Sequence, residues 1–383
     1  MPHRQRIPMH RIAIIGAGFA ALTAAQRIRA LAPTADITLV APHPEFVFYP
    51  SLIWIPSGLR KGADLRLDLH AFLARHKLNF HQGVVTGLAD GGRRVLTDAG
   101  PVDNDGLIIG SGGRFLRRLP GIEHALIPCA SIEVAETIRD RLNALDGGTI
   151  AIGFASNPKE PSAMRGGPMF EFLFGIDKLL RRQGRRDRIK LVFFSPSDRP
   201  GQRMGPPAVD RLLRMMSELD IETRLGHKMV RFEANQVVTE GGAFDADLIL
   251  FMPGMTGPAW LDNTDLPKSP GGLIQVDAQC RVPGWERVYV AGDSGSFPGP
   301  DWMPKQAHIA DLQARAAAAN LLAELDGKSA TATFKTELIC IVDMLDRGML
   351  VWRTPERLFT LPPSWFGHQA KRFYEWWYLR QYR

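Results

Sequence analysis

The sequence predicts an α/β protein: two Rossmann-like dinucleotide-binding domains with a C-terminal amphipathic, membrane-associating segment. Three observations carry that expectation. An apolar run, Ile12-Ala13-Ile14-Ile15, leads into Gly16-Ala17-Gly18-Phe19-Ala20-Ala21 and then a helix-forming stretch. Far downstream, Val288-Tyr289-Val290 ends in Ala291-Gly292-Asp293. The final segment crowds aromatic rings among basic side chains.

The first of these is a strand, a tight turn and a helix opening on that turn. Gly16 lets the chain turn sharply, and Gly18 lets the backbone approach a pyrophosphate. Ala21 keeps helix and strand close, while the helix N-terminus offers free N–H groups and a partial positive charge. A second apolar run, Ile37-Thr38-Leu39-Val40, continues the unit. The strand 288–290 ends where one carboxylate, Asp293, would meet the ribityl hydroxyls of a flavin, with Gly292 admitting the cofactor. The alternative for Asp293 is a helix cap. Between the two motifs lies Leu107-Ile108-Ile109-Gly110-Ser111-Gly112, the crossing point between domains. Together the three point to bound FAD.

Composition narrows the rest. With 383 residues and 45% hydrophobic side chains the chain has enough apolar matter for two to three domains. No uninterrupted apolar stretch reaches the ~18–20 residues of a spanning helix. The basic N-terminus precedes an apolar run that breaks at the glycine turn, which argues against a secretory signal. Three cysteines are too few for a disulfide framework, and no zinc spacing or other metal site is expected. The net charge of +7 fits an anionic membrane surface better than nucleic acid, for which no module is visible. The expected location is therefore peripheral, at the cytoplasmic membrane.

A second strand–helix unit starts with Thr149-Ile150-Ala151-Ile152 and Gly153-Phe154-Ala155-Ser156-Asn157-Pro158, with a helix over 168–182 and a strand over 190–194. Its glycine spacing is lost, prolines and charges lengthen the turn, and the strand runs out at Ser195-Pro196. The topology of a nicotinamide domain is kept and its pocket is not. A strand over 245–251, leading to Met252-Pro253-Gly254, then returns the chain to the first domain, and an alanine-rich amphipathic helix is expected over 306–325. The expected division is 1–112 and 256–328 for the flavin domain, 113–255 for the second domain, and 329–383 for the C-terminal cap. In that cap Phe373, Trp376, Trp377 and Arg380 share one helical face. Rings with basic neighbours such as Lys371, Arg372 and Arg383 suit a bilayer headgroup region. Packing against the protein, or against a second copy in a homo-oligomer, is the alternative.

Taken in order, these motifs resemble the sulfide:quinone oxidoreductases and the flavin subunits of flavocytochrome c sulfide dehydrogenases. The likeness covers nearly the whole chain. It includes Val40-Ala41-Pro42-His43-Pro44, Phe46-Val47-Phe48-Tyr49-Pro50-Ser51-Leu52, Gly167-Pro168-Met169-Phe170-Glu171-Phe172 and Pro304-Lys305-Gln306. The resemblance implies a monotopic flavoenzyme in which sulfide reduces the flavin through two cysteines and the flavin passes two electrons to quinone. It implies flavin contacts from Gly16, Gly18, Phe19, Ala20 and Ala21, from Pro50, Ser111 and Gly112, and from Gly292, Asp293 and Lys305. No cysteine near Pro42 offers a covalent flavin link.

Cysteine use departs from that pattern. Cys340 matches the second redox position, but the first falls on Arg165, in Met164-Arg165-Gly166-Gly167-Pro168. Cys129 resembles an additional, more peripheral cysteine of the family, and pairing with Cys340 would need Cα atoms roughly 4.4–6.8 Å apart. If the pair is absent, persulfide chemistry falls to Cys340 alone, with an outside thiol or sulfide resolving it. Arg165 would then lower a neighbouring thiol's pKa and draw in an anion. Lys305 resembles a lysine that stabilises negative charge on a reduced flavin, and Glu171 is a candidate proton-transfer group. Each has a plainer alternative: a buried core thiol for Cys340, a solvated helix start for Lys305, a surface or capping acid for Glu171. Cys280 is expected to be structural. Three activities follow: sulfide to quinone, NADH to quinone on the same architecture, or a flavin-binding electron-transfer protein that has lost its dithiol.

Overall fold

The computed structural model describes residues 10–383; the basic leader 1–9 falls outside the described residues. Strand β1 (Arg11–Ile15) enters α1 (Phe19–Leu31), and β2 (Asp36–Ala41) returns beside β1. With β3 (Asn79–Gln82), β4 (Gly106–Ile109) and β9 (Val288–Val290) they form one parallel sheet in the order β9-β4-β1-β2-β3. Both ends of the chain therefore build this sheet. Ile15 lies level with Val40 on one side and Ile109 on the other, and Val290 is level with Ile109. The glycine turn, Gly110 and Ala291 thus open at one carboxyl edge, where α/β sheets bind ligands.

The turn requires glycine twice over. Gly16 has φ +115° and donates its N–H to the Val40 carbonyl at 2.8 Å. A Cβ there would sit 2.5 Å from the Gly110 carbonyl oxygen. Ala21, fully buried, packs so close that a Cβ on Gly110 would lie 3.0 Å from its backbone nitrogen. Helix and strand are as near as the small side chain allows.

The second sheet is also parallel. It contains β5 (Gly148–Phe154), β6 (Ile189–Ser195), β7 (Glu222–Leu225) and β8 (Leu248–Met252), in the order β7-β6-β5-β8. Helix α2 (Gly167–Arg182) covers one face, with Phe170 stacked on Phe193 at 5.4 Å. On the other face Phe194 stacks on Phe251 at 5.7 Å. The stretch 155–166 between β5 and α2 is tied to the first domain's returning chain. Asn157 donates to the Met255 and Gly271 carbonyls at 2.8 and 2.9 Å, and Ser296 donates to Glu160 at 2.6 Å.

Helix α3 (Ala307–Leu325) matches the alanine-rich stretch, but its surroundings differ from the amphipathic expectation. Ile309, Gln313, Ala316, Ala317, Asn320 and Leu321 are all buried, so protein covers more than one face. Small alanines permit this, because they let α1 approach closely without leaving polar atoms unsatisfied.

An antiparallel sheet of β10 (Leu338–Asp343), β11 (Gly348–Arg353) and β12 (Leu358–Ser364) precedes α4 (Trp365–Leu379). Ser364 caps α4 by accepting the Gly367 N–H at 3.2 Å. The aromatic-basic segment divides between two faces. Phe366, Phe373, Trp376 and Trp377 are 51–77% exposed, and Arg380 lies 5.5 Å over the Trp376 ring. Tyr378 and Tyr382 instead enter the first domain's core, Tyr378 meeting Phe19 at 5.3 Å and Phe48 at 5.6 Å. Lys371, grouped in the sequence with the interfacial cations, also turns inward, onto Glu171. Exposed Ile339, Leu358, Phe359 and Leu361 on β10 and β12 add to the outer patch. No helix among the described residues is long and apolar enough to cross a membrane.

Candidate functional site

A continuous cavity of about 2160 Å³ runs from the carboxyl edge of the first sheet, past the N-terminus of α2, to β10 and α4. That exceeds the roughly 300–1,000 Å³ of a single small-ligand pocket, so a large cofactor and a second molecule fit together. Gly16, Gly18, Phe19 and Ala20 line one end. Pro50, Ser111, Gly112, Gly292, Asp293 and Lys305 continue the wall, and Cys129, Arg165, Glu171 and Cys340 line the part toward α4. Ala21 lies behind the wall and acts through packing. Cys280 is buried outside the cavity.

The glycine end suits a pyrophosphate on its own evidence. Helix α1 has Gly18 at its N-cap, with no side-chain cap and no acid in its first turn. Its first N–H groups therefore lack side-chain partners, which is what an anion needs. A Cβ on Gly18 would meet no atom within 4 Å, so that side is open for a ligand. These residues fit FAD.

Asp293 forms an ion pair with Arg165, in which the carboxylate accepts from the guanidinium. Burial pushes the Asp293 pKa up, but the Arg165 and Lys305 cations outweigh it and hold it below the usual carboxylate value. Lys305 donates to the Gly295 carbonyl, and burial lowers its pKa against the pull of Asp293 and Glu160. Arg165 leaves the end of the stretch 155–166, so the lengthened turn of the second domain delivers a cation to the first domain's carboxylate. Its guanidinium lies 5.9 Å from the Tyr49 ring.

The three cysteines are free thiols. Cys340, on β10, points its sulfur at the start of α2, where a Cβ on Gly167 would lie 4.0 Å from it. The thiol-activating role expected of Arg165 is not what the surroundings give. Burial pushes both Cys129 and Cys340 up to about 12, and Arg165 only partly offsets this at Cys129. At Cys340 the charged neighbours are Glu171, which raises the thiol further, and Lys371, which lowers it. Arg165 is already committed to Asp293.

Glu171 is 6% exposed, so it is neither a surface acid nor a cap. Its carboxylate accepts from Lys371 and from the Asp343 backbone N–H at 2.9 Å. Burial raises the Glu171 pKa despite Lys371. Lys371 is a cavity-lining group that the sequence reading grouped with the basic neighbours of the exposed rings. The signal was available: 368, 371, 375, 378 and 382 recur at helical spacing and form the face opposite the exposed rings. Behind it, Asp343 accepts from Trp54 Nε1 at 2.9 Å and meets His368 Nδ1 at 2.6 Å.

Residues 10–314 match the pyridine nucleotide-disulphide oxidoreductase family. Among curated proteins the chain is similar to the sulfide-quinone reductase of Aquifex aeolicus, 22% identical over 97% of this chain and 91% of that protein. It is also similar to the type II NADH:quinone oxidoreductase of Staphylococcus aureus, 21% identical over 83% of each chain. Among solved structures, the Aquifex aeolicus sulfide:quinone oxidoreductase superposes with a TM-score of 0.87 at 21% identity, covering 98% of this chain and 91% of that one. Fold, turn geometry and sequence agree, and the chain belongs to the pyridine nucleotide-disulphide oxidoreductase family.

Proposed function

We propose that this chain is a FAD-dependent oxidoreductase that takes electrons from sulfide or a related small sulfur compound and passes them to quinone at a membrane surface. The observation that carries the reading is one cavity shared by the glycine turn, Asp293 and the Cys340 thiol. In this reading Gly16, Gly18, Phe19 and Ala20 hold the pyrophosphate end. Pro50, Ser111, Gly112 and Gly292 bound the flavin, and Asp293 orients its hydroxyls. Bound FAD supplies a two-electron acceptor able to hand electrons on to a quinone. Cys340 would form the sulfur–sulfur bond with the incoming sulfide, the two electrons released being taken up by bound FAD and the two protons leaving to solvent. Lys305 would stabilise negative charge on the reduced group, and Lys371 with Glu171 would hold protons for the quinone. Cys129, buried and high in pKa, plays a supporting part.

NADH as donor is disfavoured by the second domain. Its cradle is replaced by the stretch 155–166, which Asn157 and Glu160 bind to other segments. Steady-state quinone reduction by the FAD-loaded protein is expected with sulfide and not with NADH; the reverse result refutes the reading. A third reading, a flavin protein without dithiol chemistry, draws on Arg165 standing where the first redox cysteine is expected, and predicts turnover with neither donor.

Membrane attachment rests on the exposed rings of α4 and the neighbouring strand residues. Deleting the segment after 363 would test this poorly, because Tyr378, Tyr382 and Lys371 would leave the core and the cavity with it. Phe373→Ser, Trp376→Ser and Trp377→Ser together spare those contacts. At about 1 kcal/mol per half-buried ring, the triple variant should bind anionic liposomes roughly a hundredfold more weakly while retaining FAD. Unchanged co-sedimentation would assign the rings to another role, such as contact with a second copy.

A further inference from the structure

Three buried carboxylates and two fixed cations meet where α4 packs on α2, β10 and residues 49–60. Arg60 donates to Glu375 at 3.0 Å, and Lys371 pairs with Glu171. Among the described residues Asp343 forms no salt bridge with Lys or Arg; it is held by Trp54 Nε1 and by His368 Nδ1. The carboxylates are 0–7% exposed, as is His368 at 5%. Trp54 sits between the charges, with Arg60 5.3 Å and Lys371 5.9 Å from its ring. The thiols coupled to Glu171 and Lys371 are Cys340 and Cys129, both pushed up by burial, and beyond Cys129 the Arg165 cation is balanced by its pair with Asp293. An unbalanced charge in such a setting costs several kcal/mol, so the cluster reaches neutrality only by holding one additional proton.

We propose that Asp343 and His368 hold that proton as a reserve for Lys371, the cavity-lining group that protonates the quinone, and so act as a positioning pair for quinone reduction. The inference rests on the quinone reading above. Reduction of a quinone takes two electrons from the reduced flavin and two protons, giving the quinol. Lys371 gives one proton to one quinone oxygen, which leaves the cluster one charge short, and the second oxygen takes its proton from solvent. Asp343, in electrostatic contact with Lys371 and 2.6 Å from His368 Nδ1, links the pair to Lys371, so the pair's proton restores Lys371 and solvent then restores the pair. Burial opposes the charge on Lys371, yet Glu171 and Asp343 raise its pKa, and Glu171 is raised as well. Burial pushes the Asp343 pKa up, but the His368 hydrogen bond, Lys371 and Trp54 outweigh it and hold it below the usual carboxylate value, so in the pair Asp343 is the accepting carboxylate.

The test uses FAD-loaded protein reduced with one equivalent of dithionite and mixed anaerobically with a water-soluble quinone, so no sulfide step is involved. Wild-type reoxidation should slow as pH rises. His368→Gln should be reoxidised on the order of 10- to 100-fold more slowly, with that pH dependence lost. Asp343→Asn, which keeps a carbonyl oxygen for Trp54, should behave alike. Variants that retain FAD and show the wild-type rate and pH profile would overturn the inference, whatever their thermal stability. Wild-type protein that quinone does not reoxidise would refute the quinone reading itself, and the reserve with it.

Discussion

Cys340→Ser should abolish bleaching of the flavin by sulfide while leaving FAD bound. Removing a covalent nucleophile costs several orders of magnitude in rate, because the remaining groups have nothing to attach to the substrate. The cavity holds no close substitute. Cys129 lines it too and is pushed up by burial just as Cys340 is, but it is Cys340 that stands at the redox position the resemblance implies. Cys129→Ser should therefore slow the reaction far less. With a thiol pushed up to about 12, Cys340 is protonated at neutral pH. Its alkylation by iodoacetamide should be slow at pH 7 and rise about tenfold per pH unit, as the thiolate is the reactive form. Rapid, pH-independent alkylation would mean that the α2 N-terminus outweighs burial. Sulfide bleaching that survives in Cys340→Ser would remove this residue from the reaction.

The second large effect concerns the Arg165–Asp293 pair. Asp293→Ala should release FAD on gel filtration and lower the thermal midpoint, because it takes away the buried carboxylate at the flavin end and leaves the partly buried Arg165 guanidinium unpaired. Breaking a buried pair from one side costs about 3–5 kcal/mol. Asp293→Asn should recover part of the loss by keeping an acceptor oxygen. The pH dependence has a defined sign. Asp293 is held below its ordinary value, so the pair's contribution is complete above roughly pH 4 and is lost as pH falls through the folded-state value. FAD release by acid should accordingly be steeper in the wild type than in Asp293→Asn. Equal FAD retention in wild type and Asp293→Ala, with equal melting, would place this carboxylate outside the cofactor site.

The first sheet was legible because each of its devices is local. A turn such as Gly16-Ala17-Gly18 announces itself through positive φ and close approach, and both are requirements on single residues. Strands β1, β4 and β9 are short apolar runs buried on both faces, which parallel sheets demand. The faces of α4 were harder. Aromatic side chains mark a helix as having somewhere to bury them, but Trp376 and Tyr378 look alike in composition and part ways only in three dimensions. The helical spacing of 368, 371, 375, 378 and 382 marks a second face that holds Lys371, but its partner Glu171, two hundred positions earlier, is reported by no periodicity. The same holds for Arg165. Its position beside Gly167 suggested a role near sulfur, whereas its charge is taken by Asp293 on a strand edge from the other domain. Thiol pKa values were misjudged for a related reason: the burial that dominates them is set by the whole cavity wall and not by one nearby cation.

Anaerobic absorbance of the purified, FAD-loaded protein separates sulfide oxidation from its rivals in a single titration. One flavin per chain should lose its yellow colour on addition of stoichiometric sulfide, keep it with NADH, and regain it when quinone follows. A colourless protein that takes up no FAD, or a flavin that NADH bleaches and sulfide leaves untouched, would contradict electron flow from sulfide through flavin to quinone.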